Sequence, residues 1–214
     1  MTTDSKTYPI SLVLANKTVL VVGGGDVATR KVIGLLDSGA LVRVVSPRVS
    51  PELAALVEEG RCLYVEKAYE TVDLDNATLV FACTDDTALN TRISREAGER
   101  GLLVNVADCP ELCTFMLPSV LRRDALSIAV STDGSSPMTA RLIREGLEEQ
   151  FGDEIGEYLS LLRSWRERVI TTLPEDKRRL FWQQAGEGQI LEMVRNGQSE
   201  QAEQALLALY KELA

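Results

Sequence analysis

The chain has 214 residues, enough for one full α/β domain and a smaller appendage but not for three separate cores. Its formal charge of −9, from 23 Lys and Arg against 32 Asp and Glu with no histidine, argues against a nucleic-acid partner. No run of about 18 apolar residues suggests a membrane span, and polar Met1–Lys6 lacks the apolar stretch of a signal peptide, so a cytoplasmic protein is expected.

Thr18–Val22 is a β-branched apolar run that ends in Gly23-Gly24-Gly25, and the apolar positions from Val27 to Leu36 then recur at helical spacing. This predicts strand, glycine turn and helix, with Gly39 closing the helix and Leu41–Val45 forming a second buried strand. Further strand-like runs at Cys62–Val65, Leu79–Cys83 and Leu103–Val106 alternate with helical stretches, notably Leu89–Arg100. Such alternation predicts a parallel sheet with helices on both faces. After Pro118 the pattern changes. A strand at Leu126–Val130 and a polar turn at Thr132–Ser136 precede a helix from Pro137 to about Glu149. Ile155 to Leu213 is helical in character throughout, broken near Pro174 and at Gly186–Gly188.

The four cysteines, Cys62, Cys83, Cys109 and Cys113, read as free buried thiols, because a cytosolic chain of this size has enough core without disulfides. Cys109 and Cys113 flank Pro110 and Glu111, and with no histidine in the chain no metal site is expected there.

Gly23-Gly24-Gly25-Asp26-Val27-Ala28 fits the dinucleotide fingerprint G-x-G-x-x-G/A, placed between a predicted strand and a predicted helix. Gly23 suits the tight turn, Gly25 the approach of a pyrophosphate, and Ala28 close packing of helix on strand. The free N–H groups of the first helical turn would meet the phosphate charge. About 20 residues on, where an NAD site usually places an acid on the ribose, the second strand ends in Ser46-Pro47-Arg48. Ser46 suits ribose hydroxyls and Arg48 suits a 2′-phosphate, so these residues alone leave NAD and NADP open. Thr84-Asp85-Asp86 follows the fourth strand, at the sheet edge where open α/β folds bind ligands, and serves equally well as a helix cap before Leu89.

Beyond the glycine loop, a series of segments in order resembles the siroheme synthase family of precorrin-2 dehydrogenases. The loop continues through Thr29-Arg30-Lys31. Thr84-Asp85-Asp86 with Asn90, Asn105-Val106-Ala107-Asp108, Phe115-Met116-Leu117-Pro118-Ser119, Ser131–Pro137 and Ala140–Arg144 follow. The resemblance implies NAD-dependent conversion of precorrin-2 to sirohydrochlorin, with Asp108 as the catalytic aspartate and with Asp26, Val27, Pro47 and Arg48 at cofactor-contacting positions. Some relatives are also ferrochelatases, and insertion of Fe2+ in the same cleft stays open at this stage. Thr132 stands where some relatives have a phosphorylatable serine. The chain is expected to lack the methyltransferase domain of some relatives.

The dinucleotide set is therefore Gly23, Gly25, Asp26, Val27, Ser46, Pro47, Arg48, Thr84 and Asp85. The tetrapyrrole substrate carries eight carboxylates, and Arg122, Arg123, Arg141 and Arg144 offer positive charge, with Ser119 and Thr132 as neutral donors. Each arginine also suits an ordinary ion-paired surface. The division expected is a Rossmann-type domain over 1–117, a small α+β dimerisation and substrate-cleft segment over 118–150, and a helical domain over 151–214. Leu159, Leu162, Trp165 and Val169, at near-helical spacing, predict a homodimer. The competing readings are an NAD-sensing regulatory module without chemistry and a metallotetrapyrrole-binding relative.

Overall fold

The computed structural model describes residues 7–214; Met1–Lys6, read above as a polar start, lie outside the described residues. The chain divides into two compact units, one ending at Leu117 and the other beginning at Pro118.

In the first unit five parallel strands form one sheet in the order β3-β2-β1-β4-β5. They are β1 (Thr18–Val22), β2 (Leu41–Ser46), β3 (Leu63–Glu66), β4 (Leu79–Ala82) and β5 (Leu103–Val106). Side chains along a strand alternate between faces, so β1 feeds two cores at once. Val19 and Val21 join Val32 and Leu35 of α1 (Asp26–Leu36) and Leu53 and Leu56 of α2 (Pro51–Glu58). Leu20 and Val22 join Leu74 and, from α3 (Thr87–Glu99), Ile93 and Ala97 on the opposite face. All four β1 side chains are at most 2% exposed. Burial on that scale stabilises by roughly 1.5–3 kcal/mol per large aliphatic side chain. This is the Rossmann-type sheet covered on both faces that the alternation predicts. The reversal of strand order between β1 and β4 opens a crevice at the carboxyl edge.

The second unit begins with an antiparallel hairpin of β6 (Ser119–Arg123) and β7 (Leu126–Val130), turned by Asp124 and Ala125 with Asp124 in the left-handed region at φ 47. The sequence pattern predicts β7 but not β6. Helix α4 (Pro137–Gln150) packs on both strands, and its N-terminus is capped by the Ser136 hydroxyl, which accepts from the Thr139 N–H at 3.2 Å. Four helices follow: α5 (Glu154–Thr172), α6 (Glu175–Ala185), α7 (Gln189–Arg195) and α8 (Ser199–Leu213). Their shared core contains Trp165, Val169, Phe181, Val194 and Leu206. The Trp165 ring lies 6.1 Å from Phe181 and 5.7 Å from Tyr210, centroid to centroid.

That core corrects one step of the sequence reading. Trp165 and Val169, expected to face a second copy, are buried inside the helical bundle, and Leu162 packs against it. The large apolar side chains that the second unit leaves more than half exposed are on α4: Met138 at 63% and Leu142 at 59%, one helical turn apart. Among the described residues no helix is long and apolar enough to cross a membrane.

Candidate active site

All five strand ends of the first unit contribute to one cleft of about 1150 Å3. The glycine loop after β1 forms its floor, Ser46–Ser50 after β2 and Ala68-Tyr69 beyond β3 form one side, and Cys83–Thr87 after β4 and Ala107–Cys109 after β5 form the other.

The three loop glycines have different reasons to be glycine. Gly23 has φ +115 and a Cβ there would stand 2.5 Å from the Cys83 carbonyl oxygen, while a Cβ on Gly24 would collide with the carbonyl of Arg48. Both are demands of the fold. Gly25 has no atom within 4 Å of a Cβ position and faces open space in the cleft. It is also the N-cap of α1, with no side-chain cap, so the N–H groups of the first turn are free for an anion. The donor set and the open approach fit a dinucleotide pyrophosphate. Gly24 was not in the expected dinucleotide set, because the need for it comes from a carbonyl 24 positions downstream.

Hydrogen bonds fix the loop before any ligand arrives. The Ser50 N–H donates to the Gly24 carbonyl at 2.7 Å, and the Gly23 N–H donates to Val45 at 3.0 Å. The buried Thr29 hydroxyl donates to the Gly25 carbonyl at 3.1 Å and bonds the Ser50 hydroxyl at 2.9 Å, while Ser50 also caps α2. Ser46 is buried at the end of β2, and its hydroxyl donates to the Arg48 carbonyl at 2.7 Å. Pro47 and Arg48 are exposed on the cleft wall, as Asp26 is on its floor, and Val27 is half-buried beside it.

After β4 the expected roles separate. Asp86 is the cap, accepting from the Leu89 N–H at 3.0 Å, and Thr84 is held by Asn90, hydroxyl to Oδ1 at 2.7 Å and Asn90 Nδ2 to the Thr84 carbonyl at 2.9 Å. Asp85 is exposed in the cleft, and its carboxylate has no partner among the described residues. Burial in the cleft wall pushes the Cys83 thiol up to about 11, a shift that nearby Lys31 opposes and Asp108 reinforces.

Asp108 lies two residues beyond β5, exposed in the cleft, with φ 57. A left-handed aspartate is unusual enough to need support, and here the neighbouring segment is anchored by Cys113, whose thiol accepts from the Val106 N–H at 3.2 Å and donates to the Val106 carbonyl at 3.4 Å. The Asp108 carboxylate itself has no partner among the described residues. Cys109 donates its thiol proton to Glu111 at 3.0 Å, and this contact, more than burial, raises its pKa.

The second unit disposes its expected substrate residues differently. Arg141 pairs with Glu145 at 2.7 Å, and Arg144 pairs with Glu148 and with Glu145, all on α4. Arg123 lies beside Asp153 at 3.2 Å and bounds a separate hollow of about 800 Å3 with α5 and α8. Arg122, its neighbour on β6, is exposed and its guanidinium has no partner among the described residues. Ser119 is half-buried at the start of β6, and the Thr132 hydroxyl accepts from the Ser136 N–H at 3.1 Å, a turn-forming role.

Three family models match in succession. One described as "Putative NAD(P)-binding" covers residues 10–119, the sirohaem biosynthesis protein central region covers 123–150, and the sirohaem synthase dimerisation region covers 154–209. The chain belongs to the siroheme synthase family. Within the family it is 42% identical over 202 residues to a siroheme synthase of Methylobacillus flagellatus, covering 94% of this chain and 43% of that protein. It is 43% identical over 191 residues to one from Pseudomonas entomophila, covering 89% and 41%. The chain thus spans less than half the length of these relatives. A solved structure described as SirC, precorrin-2 dehydrogenase, superposes with a TM-score of 0.78 at 27% identity, covering 96% of this chain and all of that one.

Proposed function

We propose that the chain oxidises precorrin-2 to sirohydrochlorin with a nicotinamide dinucleotide, NAD in the first instance. The observation that carries this reading is that an open pyrophosphate cradle at Gly25 and a free carboxylate at Asp108 line the same cleft. The similarity to a precorrin-2 dehydrogenase over that protein's whole length supports the choice of substrate. The dinucleotide, when bound, supplies the hydride acceptor. The chain's own work is binding, orientation and proton handling. Gly25 and the α1 N–H groups hold the pyrophosphate, and Ser46 to Arg48 hold the adenosine end. Asp108 at the far side of the switch point accepts the proton that the substrate releases as its hydride leaves. Its unpartnered state keeps both carboxylate oxygens available. Thr84 and Asp85 border the same cleft as cofactor contacts, and of the four arginines Arg122 is the one whose charge is not already neutralised and so has most to offer a substrate carboxylate.

The reading includes a homodimer in a reducing, cytoplasmic setting. The match of residues 154–209 to a dimerisation region and the exposed Met138 and Leu142 support the dimer, and four free cysteines agree with the compartment. Replacing Met138 and Leu142 together by Glu is expected to shift sedimentation from dimer to monomer mass.

The deciding experiment is anaerobic incubation of the purified chain with precorrin-2 and NAD, followed by absorption spectroscopy and then addition of Fe2+. A sirohydrochlorin spectrum that depends on both protein and NAD is expected. Its absence with a folded chain would sink the dehydrogenase reading, and iron insertion no faster than the no-protein control would limit the chain to the first step.

A further inference from the structure

Two of the four free cysteines take no part in the reading above, although they bracket the turn that follows Asp108. Cys109 is half-buried and lines the cleft, with its thiol on Glu111 at 3.0 Å. Cys113 is buried. Its sulfur accepts from the Val106 N–H at 3.2 Å, and its one proton faces the carbonyls of Val106 and Cys109, each at 3.4 Å. A turn of three residues, Pro110–Leu112, joins the two thiols; the Leu112 and Cys113 N–H groups close it on the carbonyls of Cys109 and Pro110, both at 3.1 Å.

The two ends of this turn are held with different firmness. Beyond Cys113 the chain is tied to β5: the Thr114 N–H donates to the Val104 carbonyl at 2.9 Å, the Thr114 hydroxyl accepts from the Val104 N–H at 2.8 Å, and Asn105 Nδ2 donates to the Phe115 carbonyl at 3.1 Å. On the other side Asp108 is exposed in the left-handed region at φ 57, its carboxylate without a partner among the described residues. The Cys109 N–H reaches the Val106 carbonyl only at 3.4 Å. A disulfide holds its Cβ atoms about 3.8 Å apart, whereas residues one helical turn apart have theirs about 5–6 Å apart. Closing this pair therefore pulls on the backbone, and the end that yields is Asp108-Cys109.

We propose that Cys109 and Cys113 are a thiol-oxidation site, closed to a disulfide by a peroxide, and that closure withdraws Asp108 from the position it holds in the cleft. The consequence for turnover rests on the dehydrogenase reading above; the site itself does not. The Cys109 sulfur attacks one peroxide oxygen, the O–O bond breaks, and the leaving hydroxide takes the thiol proton as water, which makes Cys109 a sulfenic acid. The Cys113 sulfur then attacks the Cys109 sulfur, the S–O bond breaks, and the departing hydroxide takes the Cys113 proton as a second water. Two thiols are oxidised and one peroxide is reduced to two waters. The proton that faced the Val106 and Cys109 carbonyls is gone, and Cys109 has left Glu111. A low-molecular-weight thiol reverses the step by exchange, which keeps the disulfide transient where such thiols are abundant.

The test is treatment of the full chain with hydrogen peroxide, followed by intact mass, alkylation mapping of the remaining thiols, NAD titration, and turnover before and after dithiothreitol. The expected product is lighter by two hydrogens, with Cys62 and Cys83 open to alkylation after denaturation and Cys109 and Cys113 protected. Turnover should fall about tenfold or more while NAD affinity stays within about threefold, and dithiothreitol should restore it. Cys109→Ser should keep its own starting rate through the same treatment. Four alkylated thiols after peroxide, a bridge from Cys109 to Cys83, a closed pair with unchanged turnover, or a Cys109→Ser variant inactivated as fast as the wild type would overturn the proposal. An untreated chain with no turnover would overturn the dehydrogenase reading instead, and mass and alkylation would still decide the thiol site.

Discussion

The cleft of the first unit and the β6 and α4 edge of the second treat most of their charged side chains in opposite ways. In the first, Asp85, Arg48 and Asp108 stand in the cleft without partners among the described residues, although acceptors and donors for other groups are abundant nearby. In the second, Arg123, Arg141 and Arg144 are matched with Asp153, Glu145 and Glu148, within the hairpin-and-helix scaffold itself. Leaving a charge unmatched at a solvent-filled cleft is inexpensive only because water substitutes for the ligand, and it keeps the group ready for one. A matched surface arginine contributes little to stability and has less to offer a substrate.

The comparison breaks most sharply at the glycine loop. Gly25→Asp should abolish dinucleotide binding, at least about a hundredfold in titration, and still fold, because nothing lies within 4 Å of the new Cβ. Gly24→Ala should instead fail in thermal melting, since the added methyl collides with the Arg48 carbonyl. Asp108→Asn is expected to slow turnover at saturating precorrin-2 and dinucleotide by about a hundredfold or more, with dinucleotide affinity unchanged. Near-normal turnover would reduce Asp108 to a turn residue, and a parallel loss of affinity would make it a cofactor contact.

Smaller effects sharpen the contrast. The Cys83 thiol is raised to about 11 in the folded chain from an ordinary 9.0, so the fold holds its proton more tightly than the unfolded chain does. Its contribution to stability is complete below the ordinary value and is lost as pH rises through about 11. The melting temperature should therefore fall between these limits, and Cys83→Ala should flatten that part of the profile. At the bottom of the scale, Arg122→Ala should raise KM for precorrin-2 several-fold, whereas Arg141→Ala should leave the melting temperature essentially unchanged and alter KM less than Arg122→Ala does. Equal effects on KM would remove the distinction between matched and unmatched arginines.

Most of the first unit was legible because its inner strands are largely buried on both faces and read as apolar, β-branched runs, as at Thr18–Val22 and Leu41–Val45. Strand β6 was not, because Ser119-Val120-Leu121-Arg122-Arg123 buries only Leu121 fully and ends in two charges. The α5 periodicity was read correctly as a covered face, but periodicity does not say what covers it; α6, α7 and α8 do so for Trp165 and Val169. In the candidate site, the positions of Gly23, Gly25 and Arg48 follow from predicted strand ends, whereas Asp108 was singled out by the family resemblance. Asp86 as cap, Thr84 clasped by Asn90, and the need for glycine at 24 depend on geometry between segments that no local pattern carries.

The placement of the indole rings gives the protein a built-in optical partition. Both of its tryptophans, Trp165 and Trp182, belong to the core of the helical bundle, and the dinucleotide-binding unit contains only tyrosine and phenylalanine. Tryptophan emission therefore reports the melting of the second unit alone, while far-ultraviolet dichroism reports both. If the two probes trace different transitions, the chain unfolds in stages, and a single melting temperature does not describe it. Adding dinucleotide then moves the dichroism transition of the first unit, and any accompanying shift in emission measures how strongly the two units are energetically linked.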